Sequence, residues 1–483
     1  NLNLLSIIQT CMVSNDTSFH LKKNVGSLWL GVFQSLAFVA PAATAASFYV
    51  VEAGVVGAAL PLTYIIAVIG VLSAMYMNYS FSRRVSHAGG YYAYVSSGFG
   101  PRAGIFASWL YLFNLLGAVS GFSILFFAGV LWPIIPDLST NPLGWIPLMM
   151  IPFIIITVLL LSGLKPSLYY TMIGGVLEVI FLVIISLVII IKVGPSNSVI
   201  PFTTAGYSFS KLGLATVYAI LGYVGVGSVI TLSEEMKQPK KNVPKAIFIA
   251  IAMAALAYIM STYAFTVGWG INNMSTFSTT SNPGFIVVEK YAGPVAMGIF
   301  ILLTLNSFIS NGIAEGNALS RTGFAMARDS IIFPKSFAKT GGKTGAPFKV
   351  IIVEMIIVFI IALVGGLIWG PFTAAAVITT MNGASLYVVH IIANFSLPVW
   401  GRRTLKMKLK EILPFALFPL AATLVYAFAV YGVFIPLPPY PLNISSYWVI
   451  LIILTGIVIA FLWTRNRKKE DVEKIGKEVE TFD

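Results

Sequence analysis

Two short stretches and a few polar residues are the parts of this 483-residue chain whose types and spacing could do chemistry. The first stretch is Ala40-Pro41-Ala42-Ala43-Thr44, in the middle of a long apolar run. Proline deletes a backbone N–H, clashes with the preceding turn, and fits well as the first residue of a new helix. Two half-helices meeting near Pro41 would leave N–H groups from Ala42 to Thr44 at a positive dipole end, a natural seat for a carboxylate. Small side chains would let a ligand reach that backbone. A plain proline kink packed by small residues fits the same letters. The second stretch is Gly222-Tyr223-Val224-Gly225-Val226-Gly227, with three glycines in one and a half turns. Each costs a helix about 1 kcal/mol against alanine. A second break and close helix packing through small residues both fit.

Glu178 and Glu315 are the two acids that the sequence sets well inside apolar runs. A charge at mid-membrane costs at least ~2.5–3.5 kcal/mol on insertion scales, so such a group is paired, neutral or functional. Glu178 is a candidate proton carrier, with a carboxyl bonded to a neighbouring helix as the other reading. Ser307, Asn311 and Glu315 fall at i, i+4 and i+8 on one helical stripe. Their oxygens suit a hard cation, or else polar packing between helices. Glu315 is also six residues, ~9 Å, from Arg321, close enough to pair with it near a helix end. Glu234 and Glu235 stand near Lys237, Lys240 and Arg328 and read as a structural gate network. Neither break carries an acid, which disfavours a strongly cationic substrate. The lone Cys11 reads as inert tail, and His20, His87 and His390 are too scattered for a His-built zinc site. No nucleophile, metal cluster or cofactor motif emerges, so no catalytic site is expected.

The elements that must position these groups follow from composition. The chain is 58% hydrophobic and 10% charged, against about 25% charged in soluble domains. That excludes a water-soluble enzyme and a disordered chain, and predicts an all-α polytopic membrane protein. Twelve apolar stretches are long enough to span, near 27–51, 55–82, 101–131, 144–162, 170–193, 210–233, 244–270, 294–320, 348–369, 371–397, 412–434 and 446–464. The first is too long for a cleavable signal. With the N-terminus inside, 27 of the 30 Lys and Arg fall on the cytoplasmic side, and Lys192, Lys211 and Lys290 are the exceptions. This is the positive-inside pattern, and it predicts an even number of spans with both termini cytoplasmic. The net charge of +13 therefore records orientation and contact with membrane lipids, with no nucleic acid implied. The expected divisions are a cytoplasmic segment 1–26, a first repeat 27–193, a second repeat 194–397, helices 11 and 12 within 398–464, and a charged tail 465–483. Helices 1 and 6 head two five-helix blocks that enter from opposite sides. Interruptions at corresponding positions of two such halves point to a transporter binding site.

Three motifs on the expected cytoplasmic side then give a resemblance. SEEMKQPKKNVPKAI (233–247), SRTGFAMARDSIIFP (320–334) and SHAGGYYAYVSSGFGP (86–101) occur in the chain. Together they resemble the amino acid–polyamine–organocation superfamily of permeases over helices 1 to 10. The resemblance implies a leucine-transporter-type fold with a five-plus-five inverted repeat and alternating access between broken helices 1 and 6. It implies a substrate carboxylate at Ala40, Pro41, Ala42, Ala43 and Thr44, and a substrate amine at the carbonyls of Gly222, Tyr223, Gly225 and Gly227. Ser307, Asn311 and Glu315 could contact the helix 1 break, where sodium-coupled relatives hold their ion with helix 8 hydroxyls. Two departures stand out. The family's Gly-x-Gly in helix 1 is Ala40-Pro41-Ala42, and Gly227 stands where some members carry an acid. Some members also place a lysine in helix 5, where this chain has Glu178 instead. The resulting expectation is a plasma-membrane secondary active transporter for amino acids, coupled to protons rather than sodium. An exchanger, a polyamine or organocation importer, and a nutrient receptor or channel on a transporter fold are the alternatives.

Overall fold

The computed structural model describes residues 19–342 and 344–465, together with 467, 472 and 476. Cys11, Lys343 and most of the expected charged tail lie outside the described residues. What is described is almost entirely helical, with an isolated β bridge between Gly26 and Met236.

The chain enters through α1 (Leu28–Val39), where the Ser27 hydroxyl accepts from the Leu30 N–H at 3.4 Å. A left-handed Ala40 ends it, and α2 (Pro41–Val56) starts at once with proline in its first position. Then come α3 (Leu60–Ser82) and α4 (Tyr91–Phe99). The expected single helix over 101–131 is not uniform: α5 (Pro101–Gly117) passes into a π-helical stretch, Ala118–Leu125, before α6 (Phe126–Leu131). Next are α7 (Trp145–Leu161) and α8 (Leu164–Val193). α9 (Phe209–Leu221) gives way to turns and then to a 3-10 helix, Ser228–Glu235. The remaining helices are α10 (Pro239–Trp269), α11 (Pro283–Arg328), α12 (Phe348–Trp369), α13 (Pro371–Arg403), α14 (Leu409–Phe434) and α15 (Asn443–Arg465). α11 is far longer than the expected 294–320. It bends at Gly293 and carries its polar last turns, with Arg321 and Arg328, past the apolar run.

The solvent these helices require can be read from α8. Ile173, Leu177, Ile180 and Ile184 are each at least half exposed, while Gly174, Gly175, Glu178 and Leu182 are buried. An exposed apolar stripe with polar groups inside reverses the pattern of a soluble helix. Among the described residues, nine helical segments are long and apolar enough to cross a membrane. The first, Leu28–Ser82, runs 55 residues through α1, α2 and α3, and α7 and α9 are shorter apolar helices. α1 and α2 sit in the core against α8, α10 and α11, which brings both interrupted regions to the centre of the bundle.

Candidate functional site: two helix breaks and buried carboxyls

At the first break, Ala40 has φ 51° and ψ 68°. Its N–H folds back on Leu36 O (3.2 Å) and Ala37 O (3.1 Å), which closes α1. Pro41 has no N–H to offer. The Thr44 N–H, expected to be free, donates to Ala40 O at 2.9 Å as the first full rung of α2. The leftover donors are therefore Ala42 and Ala43, fewer than the sequence suggested.

The Ala42 N–H donates to Glu178 Oε2 at 3.2 Å. The same oxygen accepts from Ser307 Oγ at 2.7 Å, and Asn306 Nδ2 reaches Oε1 at 3.3 Å. The expectation that neither break carries an acid is thus corrected. Glu178 arrives from 136 residues away, because Gly174 and Gly175 let α8 lie close to Ser310 of α11 and Phe33 of α1.

At the second break the α-ladder stops over 222–227. Three-residue turns replace it, with Val226 N to Tyr223 O at 3.2 Å and Ser228 N to Gly225 O at 2.8 Å. Gly225 has φ +89°, and a Cβ there would overlap the Phe38 ring. Glycine is needed both for its backbone and for this close approach to α1. The breaks are joined by Tyr258 of α10, whose hydroxyl lies 3.2 Å from Val39 O and 3.2 Å from Gly222 O.

The helix stripe reaches the same place. Ser307 bonds Glu178, and Asn311 Nδ2 donates to Phe38 O at 2.6 Å. Ser123 Oγ lies 2.8 Å from Asn311 Oδ1 and 3.4 Å from Glu315 Oε2. Ser123 sits in the π-helical stretch, where the changed register turns it toward α11, and sequence reasoning missed it. Glu315 does not pair with Arg321. The Arg321 guanidinium instead holds Glu235, Nε to Oε2 at 2.7 Å and Nη2 to Oε1 at 3.2 Å.

Two further buried acids went unnoticed. Glu52 of α2 accepts from Tyr64 OH at 3.1 Å and lies beside Tyr49, Tyr64, Tyr223 and Tyr258, a chain of ring contacts at 5.1–6.3 Å. Glu354 of α12 lies against Gly323 of α11. It interrupts an otherwise apolar run from Val350 to Val358, and that interruption was the available signal. Glu52 fell at the margin between two apolar stretches. Glu178 and Glu315 are therefore not the only acids inside the spans.

The ends of the bundle differ. At the end carrying Arg321 and Arg328, Arg328 grips Glu234 through two bonds of 2.9 Å. The Val25 and Gly26 N–H groups donate to Glu235 O at 2.8 and 3.0 Å, and the Lys237 N–H donates to Gly26 O at 2.8 Å. His87, in the loop before α4, packs against Arg328. Burial and that guanidinium push its pKa down to about 4. Burial works against the Glu234 charge, yet Arg328 outweighs it and holds this carboxyl below its usual range. The opposite end opens into a cleft of about 670 Å³ whose lining includes Ala46, Ser47, Phe126, Thr304, Phe308 and Phe372. Ala46 is one helical turn beyond Ala42. Among the described residues, no group of three or more His, Cys, Asp and Glu is placed to hold a metal ion.

A family profile described as "Amino acid permease" matches residues 31–473. The chain belongs to the amino acid permease family. Relatives of this permease include the low-affinity putrescine importer PlaP of Escherichia coli (strain K12), 24% identical over 63% of this chain and 67% of that protein. They also include the branched-chain amino acid permease BcaP of Bacillus subtilis (strain 168), 22% identical over 86% of this chain and 87% of that one. A methylthioribose transporter of the same bacterium is 30% identical over 41% of each chain. Among solved structures, the substrate-bound outward-open state of a Na+-coupled sialic acid symporter shares the fold. Its TM-score is 0.56 at 16% identity, over 90% of this chain and 96% of that one. The permease is a helical membrane protein of a transporter family.

Proposed function

We propose that this permease is a secondary active transporter that carries amino acids across the plasma membrane by alternating access, driven by protons. In this reading it crosses twelve times, with both termini cytoplasmic and the Arg321–Arg328 end inside. Residues 27–193 and 194–397 form inverted halves, followed by two further helices in 398–464. The substrate lies between Ala40–Thr44 and Gly222, Tyr223, Gly225 and Gly227. Glu178 carries the proton, and Ser307, Asn311 and Glu315 line its surroundings.

The observation that carries the reading is the joining of the two breaks at one buried point, with a carboxyl bonded to the Ala42 N–H. Free helix N–H groups and unwound carbonyls, in a bundle interior, are the means of binding a zwitterion away from water. The cleft on one side and the ion pairs on the other support an outward-facing state. One observation favours a second reading, an importer of amines: the Glu178 carboxylate at the break would attract a cationic substrate.

Uptake into proteoliposomes tests this. At least one of the twenty amino acids should accumulate saturably under an imposed proton gradient, and a protonophore should abolish accumulation. Glu178→Gln should abolish gradient-driven accumulation while still exchanging substrate. Accumulation by Glu178→Gln equal to wild type would remove Glu178 as the carrier. Accumulation that ignores the gradient would remove proton coupling.

A further inference from the structure

Glu178 and a carboxylate-bearing substrate require the same donors. The start of α2 has two to give, Ala42 and Ala43, since Pro41 has none and Thr44 is committed to Ala40 O. Ala42 already donates to Glu178. The other half of the site is closed in the same way. The carbonyls of Val39 and Gly222, which an ammonium would use, face the Tyr258 hydroxyl at 3.2 Å each. The chain thus engages one donor on the N–H side with a carboxylate and, on the carbonyl side, one of the two carbonyls with the single Tyr258 proton.

We propose that the Glu178 carboxylate is a built-in competitor for the substrate carboxylate at the Ala42 backbone donor, so that proton uptake and substrate uptake are a single exchange. This rests on the amino acid transport reading above. Two carboxylates cannot share the α2 terminus: both would be charged, buried and within contact of each other. A neutral Glu178 can leave. The Ser307 hydroxyl that donates to the carboxylate can turn and accept the acid proton, and Asn306 Nδ2 continues to donate. The acid then rests on α11, and Ala42 is free. The groups that face Glu178 are Ser307 and Asn306 from α11, the Ala42 backbone from α2, Tyr258 from α10 and Tyr170 from α8 itself. Among the described residues no Lys, Arg or His forms an ion pair with it, so no described side chain neutralises it in place. The proton moves from solvent to a Glu178 oxygen, no covalent bond other than that O–H forms, and net charge is balanced by the incoming carboxylate. An amine without a carboxylate need not displace Glu178, so it should bind without taking up a proton.

The test uses the full chain in detergent. Thermal shift with each of the twenty amino acids selects a ligand, because binding raises stability by mass action. Calorimetric titration of that amino acid, and of the amine left by its decarboxylation, is then run in two buffers of different ionisation heat. The expected result is uptake of about one proton per amino acid bound at pH above the Glu178 pKa and none per amine. Affinity for the amino acid should fall by about tenfold per pH unit in that range, and Glu178→Gln should give a flat profile. Zero proton uptake with the amino acid, equal uptake with the amine, or an unchanged slope in Glu178→Gln would each overturn the competition while leaving transport standing. If no amino acid binds at any pH, the amino acid reading falls and the competition with it. If Glu178→Gln does not fold, the two-buffer comparison on the wild type decides alone.

Discussion

A single backbone amide, that of Ala42, connects the chemistry of this permease to its fold. Its donor has no partner within the helix only because Pro41 begins a helix inside what would otherwise be one continuous span, and its acceptor comes from a residue 136 positions away. Gly225 is the corresponding fixed point of the second break. Its φ of +89° and the Phe38 ring against it leave no room for a side chain. Gly225→Ala should therefore lose about 3 kcal/mol, from overpacking and from a backbone conformation that alanine resists. Thermal unfolding in detergent would read this as a clear fall in Tm. An unchanged Tm would mean that the Phe38–Gly225 contact does not hold the breaks together.

Elements explain why one end of the bundle is shut. The 3-10 helix Ser228–Glu235 lies between the segment before α1 and the end of α11, and it contributes Glu234 and Glu235 to the ion pairs there. Arg321 and Glu235 are almost wholly buried. Removing one partner of such a pair strands the other charge, at a cost of about 3–5 kcal/mol. Arg321→Met should be that unstable, and the double variant Arg321→Met, Glu235→Leu should recover most of the loss. A double variant no better than the single one would show that Arg321 acts through packing instead. His87 adds a pH dependence to the same end, with Arg328, Glu234 and Asp329 as the charges around it. Its folded pKa of about 4 lies below the unfolded value of ~6.5. Between those values the unfolded chain binds more protons, so stability falls as pH drops through the window and is fully present above it. Tm measured from pH 4 to 7 should show this slope, and His87→Gln should reduce it. An identical slope in His87→Gln would assign it to other groups.

For the whole molecule, ion pairs close the basic end and a cleft opens at the other, and the proposed direction of access rests on that asymmetry. In the proposed topology Arg403 and Lys290 lie on opposite sides of the membrane, as the positive-inside pattern expects. Single cysteines at those positions, in a Cys11→Ser background, should react differently with an impermeant maleimide on intact cells. Lys290→Cys should be labelled from outside, and Arg403→Cys only after the membrane is opened. Labelling of both from one side would break the proposed topology.

The sequence alone determined that the chain is a helical membrane protein of the permease type. Apolar runs, a low charge fraction and ordered motifs are local features, and lipid leaves few other ways to satisfy a backbone. It also located both interruptions, because Pro41 and the glycines 222, 225 and 227 weaken a helix wherever they stand. What it could not supply was partnership across distance. Glu178 meeting Ala42, Tyr258 bridging Val39 and Gly222, Ser123 turned toward Asn311 by the π-helical stretch, and Arg321 choosing Glu235 over Glu315 all depend on helix packing. The same packing buried Glu52 and Glu354, which no periodicity had singled out. In a low-dielectric interior, which buried group an acid meets decides whether it carries charge, and tertiary structure alone fixes that meeting.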